Sequence, residues 1–149
     1  DLRPMDLRQR LLDIYEGKPL HKSVTVDVFS FGYKFGAPID ADMVFDVRFI
    51  PNPYYVDKLR PLTGADQGVY DYVMQFPITE VFLSRVSDLI VNLIPGYARE
   101  GKARLTVGIG CTGGQHRSVA VAIALHRRLQ DLDVAASLRH RERSAAPTL

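Results

Sequence analysis

The chain has 149 residues, 46% hydrophobic and 24% charged, the balance of one globular domain rather than of a disordered or fibrous chain. A formal charge of +2 is too weak to announce a nucleic-acid binder, and no apolar run approaches the roughly 18 residues that a membrane span requires. The one cysteine, Cys111, excludes an internal disulfide and makes no thiolate metal site by itself, which fits a reducing cytoplasm with no metal or cofactor expected.

Taken in chain order, the amino-terminal stretch DLRPMDLRQR has no apolar signal-peptide core. Leu7, Leu11, Leu12, Ile14 and Tyr15 follow at amphipathic helical spacing, so residues 1–20 are expected to be a linker or capping helix before a domain over 21–149. Residues 23–31, SVTVDVFSF, alternate and are rich in β-branched and aromatic side chains, which predicts a strand. Residues 43–50, MVFDVRFI, predict a second strand ended by Pro51-Asn52-Pro53. Val69, Tyr72, Val73 and Phe76 predict a short helix within 64–76. A longer helix is expected from about Thr79, with Val81, Phe82, Leu89, Ile90 and Leu93 on its apolar face and Pro95-Gly96 kinking or ending it. Residues 103–109 form a near-continuous apolar run, as in an interior parallel strand. A helix over 119–130 and a strand over 134–138 complete the series. The expected fold is an α/β sandwich with a mostly parallel or mixed central sheet flanked by helices.

Between the third strand and its helix lies GIGCTGGQHRSV, residues 108–119, where open α/β sheets place ligands. Gly110, Gly113 and Gly114 let backbone N–H groups approach an anion, and the helix starting near His116 adds its own N–H groups and dipole. Thr112, His116, Arg117 and Ser118 complete a phosphate shell. The plainer reading is a glycine-rich turn beside a solvent-exposed arginine. Cys111 and Arg117 also stand in a C-x5-R relation followed by Ser118, which resembles the phosphate loop of cysteine-dependent phosphatases, with Cys111 as nucleophile and Arg117 as phosphate clamp. Two features depart from that pattern. Gly110 stands where such loops carry histidine, and Asp40, Asp42, Asp57 and Asp66 include no distinguished general acid. Cys111 then reads as a small residue packed at a strand end, and a non-catalytic domain is the expectation.

The segments FSFGYKFGAPIDADMVFDVRFIPNPYY, LRPLTGADQGV, LTVGIGCTGGQHRSV and SLRHRE, in this order, resemble the carboxyl-terminal domain of the RapZ family, RNase adapter proteins once grouped as nucleotide-binding proteins. The resemblance implies a sensor that binds glucosamine-6-phosphate or a related nucleotide sugar. It further implies binding of small regulatory RNA, presentation of that RNA to an RNase E-type endonuclease, and assembly into homo-oligomers, without a membrane. The family's phosphosugar loop falls on Thr112, Gly113, Gly114, His116 and Arg117. VFDVRF adds Asp46 and Arg48, two apart on one face of the second strand, as sugar and phosphate contacts or as an ion pair bracing the strand end. Asn52 is a further ligand candidate, with Arg60, Thr63 and Gly64 behind it, each equally suited to turn chemistry. Tyr54 stands where the family often has histidine, and it cannot become a cation near neutral pH. No G-x-x-x-x-G-K-[ST] stretch is present, so no ATP or GTP site of that type is expected in this piece or standalone homologue. RNA contact falls on Arg139, His140, Arg141 and Arg143, with Arg127 and Arg128 reading equally as a solvated helix face.

Overall fold

A computed structural model describes residues 24–142. The expected helix over Leu7 to Tyr15, the linker over 1–20 and Arg143 lie outside the described residues. Strands β1 (Thr25–Gly32), β2 (Met43–Asp46), β3 (Arg104–Cys111) and β4 (Ala136–His140) form one sheet in the order β2-β3-β1-β4, every pairing parallel. Helices α1 (Gln67–Met74) and α2 (Pro77–Arg99) lie between β2 and β3 in sequence, and α3 (Arg117–Asp131) between β3 and β4. This is the expected α/β class, with the sheet purely parallel.

β1 and β3 are the two interior strands, each covered on both faces, which explains the near-continuous apolar run of β3 and why Asp27 and Ser30 of the alternating β1 are buried as well. Val26, Val28, Leu105, Val107 and Ile109 pack with α3, α1 and α2 into one core. The α3 segment fits close to the sheet because Ala120, Val121, Ala122 and Leu125 are short or branched and fully buried. By strand alternation the opposite face carries Phe29 and Phe31, buried beneath guanidinium groups. Arg139 stands 4.5 Å over the Phe29 ring and Arg141 5.3 Å over Phe31.

Three sequence expectations are corrected. The second strand stops at Asp46, four residues early, because the Asp46 carboxylate accepts the Arg48 backbone N–H at 2.9 Å and turns the chain there. Arg48 therefore lies beyond the strand. Helix α2 passes through Pro95-Gly96 to Arg99. One missing helical bond and the proline ring cost about 3 kcal/mol, which burial of Ile90 and Ile94, with Tyr97 and Ala98 packed on the core, offsets. The buried stripe of α2 is Thr79, Leu83, Val86, Ser87, Ile90 and Ile94, while Val81, Leu89 and Leu93 of the expected face are exposed. Among the described residues no helix is long and apolar enough to cross a membrane.

Candidate functional site

β3 delivers the chain to Cys111, and α3 begins at Arg117, so five residues make the whole connection. Gly114 closes it with φ +78°, and a Cβ there would stand 2.6 Å from the Gly32 nitrogen. Glycine is required at Gly32 as well, whose Cβ would meet the Gly113 carbonyl carbon at 2.5 Å. The end of β1 and the loop thus pack backbone against backbone, and the Lys34 N–H donates to the Thr112 carbonyl at 3.1 Å. On the other flank the Gly64 N–H donates to the Gln115 carbonyl at 2.8 Å. Gly110 serves a different purpose from the expected approach of backbone N–H groups to an anion. It sits within β3, and its missing side chain makes room for the Phe31 and Tyr33 rings.

The chain just after β1, the loop and the segment after β2 line a crevice of about 310 Å³. Cys111, Thr112, Gly113, His116 and Arg117 line it from the loop, and Asn52 from the segment after β2. Of the other sequence candidates, Gly114 faces Gly32 and the Glu142 side chain. Ser118 is fully buried and its hydroxyl oxygen accepts from the Cys111 thiol at 3.1 Å. Asp46 and Arg48 form a bidentate pair, with Nη2–Oδ2 2.7 Å and Nε–Oδ1 3.0 Å, and the guanidinium stands 4.2 Å over Tyr33. The hydrogen-bonded guanidinium holds the Asp46 carboxyl below the usual carboxylate range. Arg48 meets Arg117 through its backbone: Arg117 Nη1 donates to the carbonyls of Arg48 at 3.1 Å and Ile50 at 2.9 Å.

Arg117 is 5% exposed, and its Nε is buried without a hydrogen-bond partner. Burial depresses its proton affinity, though an arginine stays charged at any physiological pH. His116 Nε2 lies 3.0 Å from the Arg60 carbonyl oxygen. Since a carbonyl only accepts, Nε2 carries the proton, and burial pushes the ring's pKa below its ordinary value. The neutral ring's Nδ1 is therefore an acceptor, not a second donor. His116 is also the residue before the helix, and no side chain caps α3, which leaves the helix end suited to an anion.

Sequence reasoning missed Lys34, Tyr55 and Gln115 as lining residues and noted Tyr54 only as a substitution. Lys34 follows β1, and only the β1–β3 pairing brings it beside the loop. Tyr54 stacks under Arg60, 5.0 Å from guanidinium to ring, while Asn52 Oδ1 accepts the Tyr54 N–H at 3.0 Å. Arg60 Nε also donates to the Tyr54 carbonyl at 2.7 Å. Thr63 makes turn bonds with Asp66, its N–H donating to Oδ2 at 2.8 Å.

In the basic segment, His140 Nδ1 lies 2.7 Å from Ser30 Oγ, and Arg141 binds Glu142 and the Gly36 carbonyl. Arg139 is 55% exposed, with Asp27 at 3.5 Å. Arg128 pairs with Glu80 at 2.7 Å, and Arg127 stands 5.4 Å over Tyr70.

A parallel α/β domain with a crevice at the carboxyl ends of its two central strands has the layout of the open α/β class, in which that end of the sheet is the usual place for ligands. The model of the RapZ C-terminal domain matches residues 24–144, and the chain belongs to that family. It is 48% identical over 142 residues to a protein of Carboxydothermus hydrogenoformans, covering 95% of this chain and 49% of the relative. A Bacillus licheniformis protein is 53% identical over 122 residues, covering 82% and 41%. A Staphylococcus epidermidis protein is 50% identical over 131 residues, covering 88% and 43%. All three are named nucleotide-binding proteins, and this chain spans about half the length of such relatives.

Proposed function

We propose that the crevice binds the phosphate of a small phosphorylated metabolite, an amino-sugar phosphate such as glucosamine-6-phosphate, and that occupancy adjusts what the domain binds as an adapter. The observation that carries this reading is Arg117: a buried guanidinium with an unpartnered Nε, lining a crevice whose other cation is Lys34 and whose walls hold no carboxylate. Leaving a buried charge without a counter-charge is costly, so an anion seated in the crevice is its natural counterpart. The volume of about 310 Å³ stands at the small end of the roughly 300–1,000 Å³ of ligand pockets, which favours a monosaccharide phosphate over the larger nucleotide sugar. Calorimetry with glucosamine-6-phosphate and with glucosamine tests it. Binding of the phosphorylated sugar alone is expected, and equal binding of both would remove the phosphate reading.

The domain over 21–149 is proposed to act within an RNase adapter, with small regulatory RNA and an RNase E-type endonuclease as partners and with homo-oligomeric assembly. Arg139 and Arg143 are the proposed RNA contacts, while the inward bonds of His140 and Arg141 suit them to support. Phosphate-backbone contact predicts affinity that falls steeply with salt.

A second reading, a cysteine-dependent phosphatase, is favoured by the Cys111–Ser118 hydrogen bond within the C-x5-R-S loop. The acid is where it weakens. Asp57 pairs with Arg60, Asp66 with Thr63, Asp42 with Lys102 and Thr106, and Asp40 lines a different cavity. Turnover of a phosphate-ester panel, abolished in Cys111→Ser, would establish the enzyme.

A further inference from the structure

Glu142 stands two residues beyond β4, and its side chain is 10% exposed. Its Oε2 accepts the Gly32 N–H at 2.9 Å, and Arg141 holds the same oxygen through Nε at 2.9 Å and Nη2 at 2.7 Å. Its backbone carbonyl accepts Gln115 Nε2 at 3.0 Å, and its Cγ occupies the space that a Gly114 side chain would need. One residue therefore touches the end of β1 and two positions of the loop. A buried carboxylate beside a proposed anion site works against that site electrostatically, and Arg141 only balances the charge. The contacts supply what the charge does not: they hold Gly32 against Gly113, and with it the wall of the crevice.

We infer that Glu142 is a positioning residue of the loop, clamping Gly32, Gly114 and Gln115 in the ligand-ready arrangement and coupling the chain beyond β4 to the occupancy of the crevice. The coupling rests on the phosphate reading above, whereas the clamp itself does not. Any partner that displaces Glu142 from Gly32 unseats the carboxylate and weakens anion binding, and by thermodynamic reciprocity a bound anion holds Glu142 in place with the same factor.

Hydrogen exchange of the ligand-free protein tests the clamp directly. Glu142→Ala is expected to speed exchange at Gly32 and Gly113–Gln115 by about tenfold, the effect of one lost charged hydrogen bond, with core strand amides unchanged. Glu142→Gln keeps an oxygen for the Gly32 N–H, so its exchange stays within about threefold of wild type. Inorganic phosphate is the binding probe. Its affinity falls about tenfold in Glu142→Ala, although the freed Arg141 charge alone would strengthen it, so the sign separates loop geometry from electrostatics. Loop amides exchanging at the wild-type rate in both variants overturn the clamp. Affinity kept or raised in Glu142→Ala overturns the coupling. Loosened loop amides in a protein whose wild type binds neither phosphate nor sugar phosphate support the clamp and remove the phosphate reading.

Discussion

At Gly64 an added methyl group would stand 2.3 Å from the His116 carbonyl oxygen and 2.4 Å from the Ala120 nitrogen. Both are backbone atoms of the start of α3, so Gly64→Ala can be accommodated only by moving the helix end. A loss of about 1–3 kcal/mol in urea unfolding is expected, together with weaker phosphosugar binding. Arg117→Ala removes the charged hydrogen bonds instead, and calorimetry should find glucosamine-6-phosphate binding weaker by about 1.5–3 kcal/mol; unchanged affinity would refute its role. His116 makes the site sensitive to acid. Burial lowers its pKa beneath the ordinary 6.5, so below about 6.5 the unfolded chain binds more protons than the folded one. Its contribution to stability is thus complete above about 6.5 and lost as pH falls toward the folded pKa, and His116→Asn should show a shallower decline of Tm on acidification. At this scale the loop was well marked in the sequence, because glycines, hydroxyls and an arginine within a few positions have few other uses. The separate duties within it were not. Ser118 serves the Cys111 thiol within the loop, and Gly110 serves the Phe31 and Tyr33 rings on the far face of the sheet, which lie far from it in sequence.

Among the elements, β1 was legible through its alternation and its β-branched and aromatic residues, β3 because an interior parallel strand is apolar on both faces, and α3 because its small residues repeat. β2 was overread, since MVFDVRFI alternates correctly but the Asp46 carboxylate captures the Arg48 N–H and ends the ladder. At Pro95 of α2 local propensity argued for a kink or an end, and of these the end does not occur: burial of Ile94 with packing of Tyr97 and Ala98 carries the helix on. Pro95→Ala restores a backbone donor and relieves the ring, so thermal melts should show stabilisation of about 1–3 kcal/mol. A lower Tm would mean that the proline's restriction of the unfolded chain outweighs the helical bond.

For the whole molecule, ligand and fold are linked by mass action. If the crevice takes a sugar phosphate, saturating amounts at about a hundred times Kd should stabilise the domain by about 2.7 kcal/mol, read as a rise in Tm that Arg117→Ala abolishes. The family, the α/β class and the place of the glycine-rich loop between a strand and a helix were written in the sequence, because motif order and hydrophobic periodicity are local properties that survive without coordinates. Which strands are neighbours was not, and that decides the site. Pairing β1 with β3 brings Lys34 beside Thr112, and returning the chain along β4 sets Glu142 against Gly32 and Gly114. These contacts join residues as much as 110 positions apart, and no periodicity along one segment encodes which distant segment will lie against it.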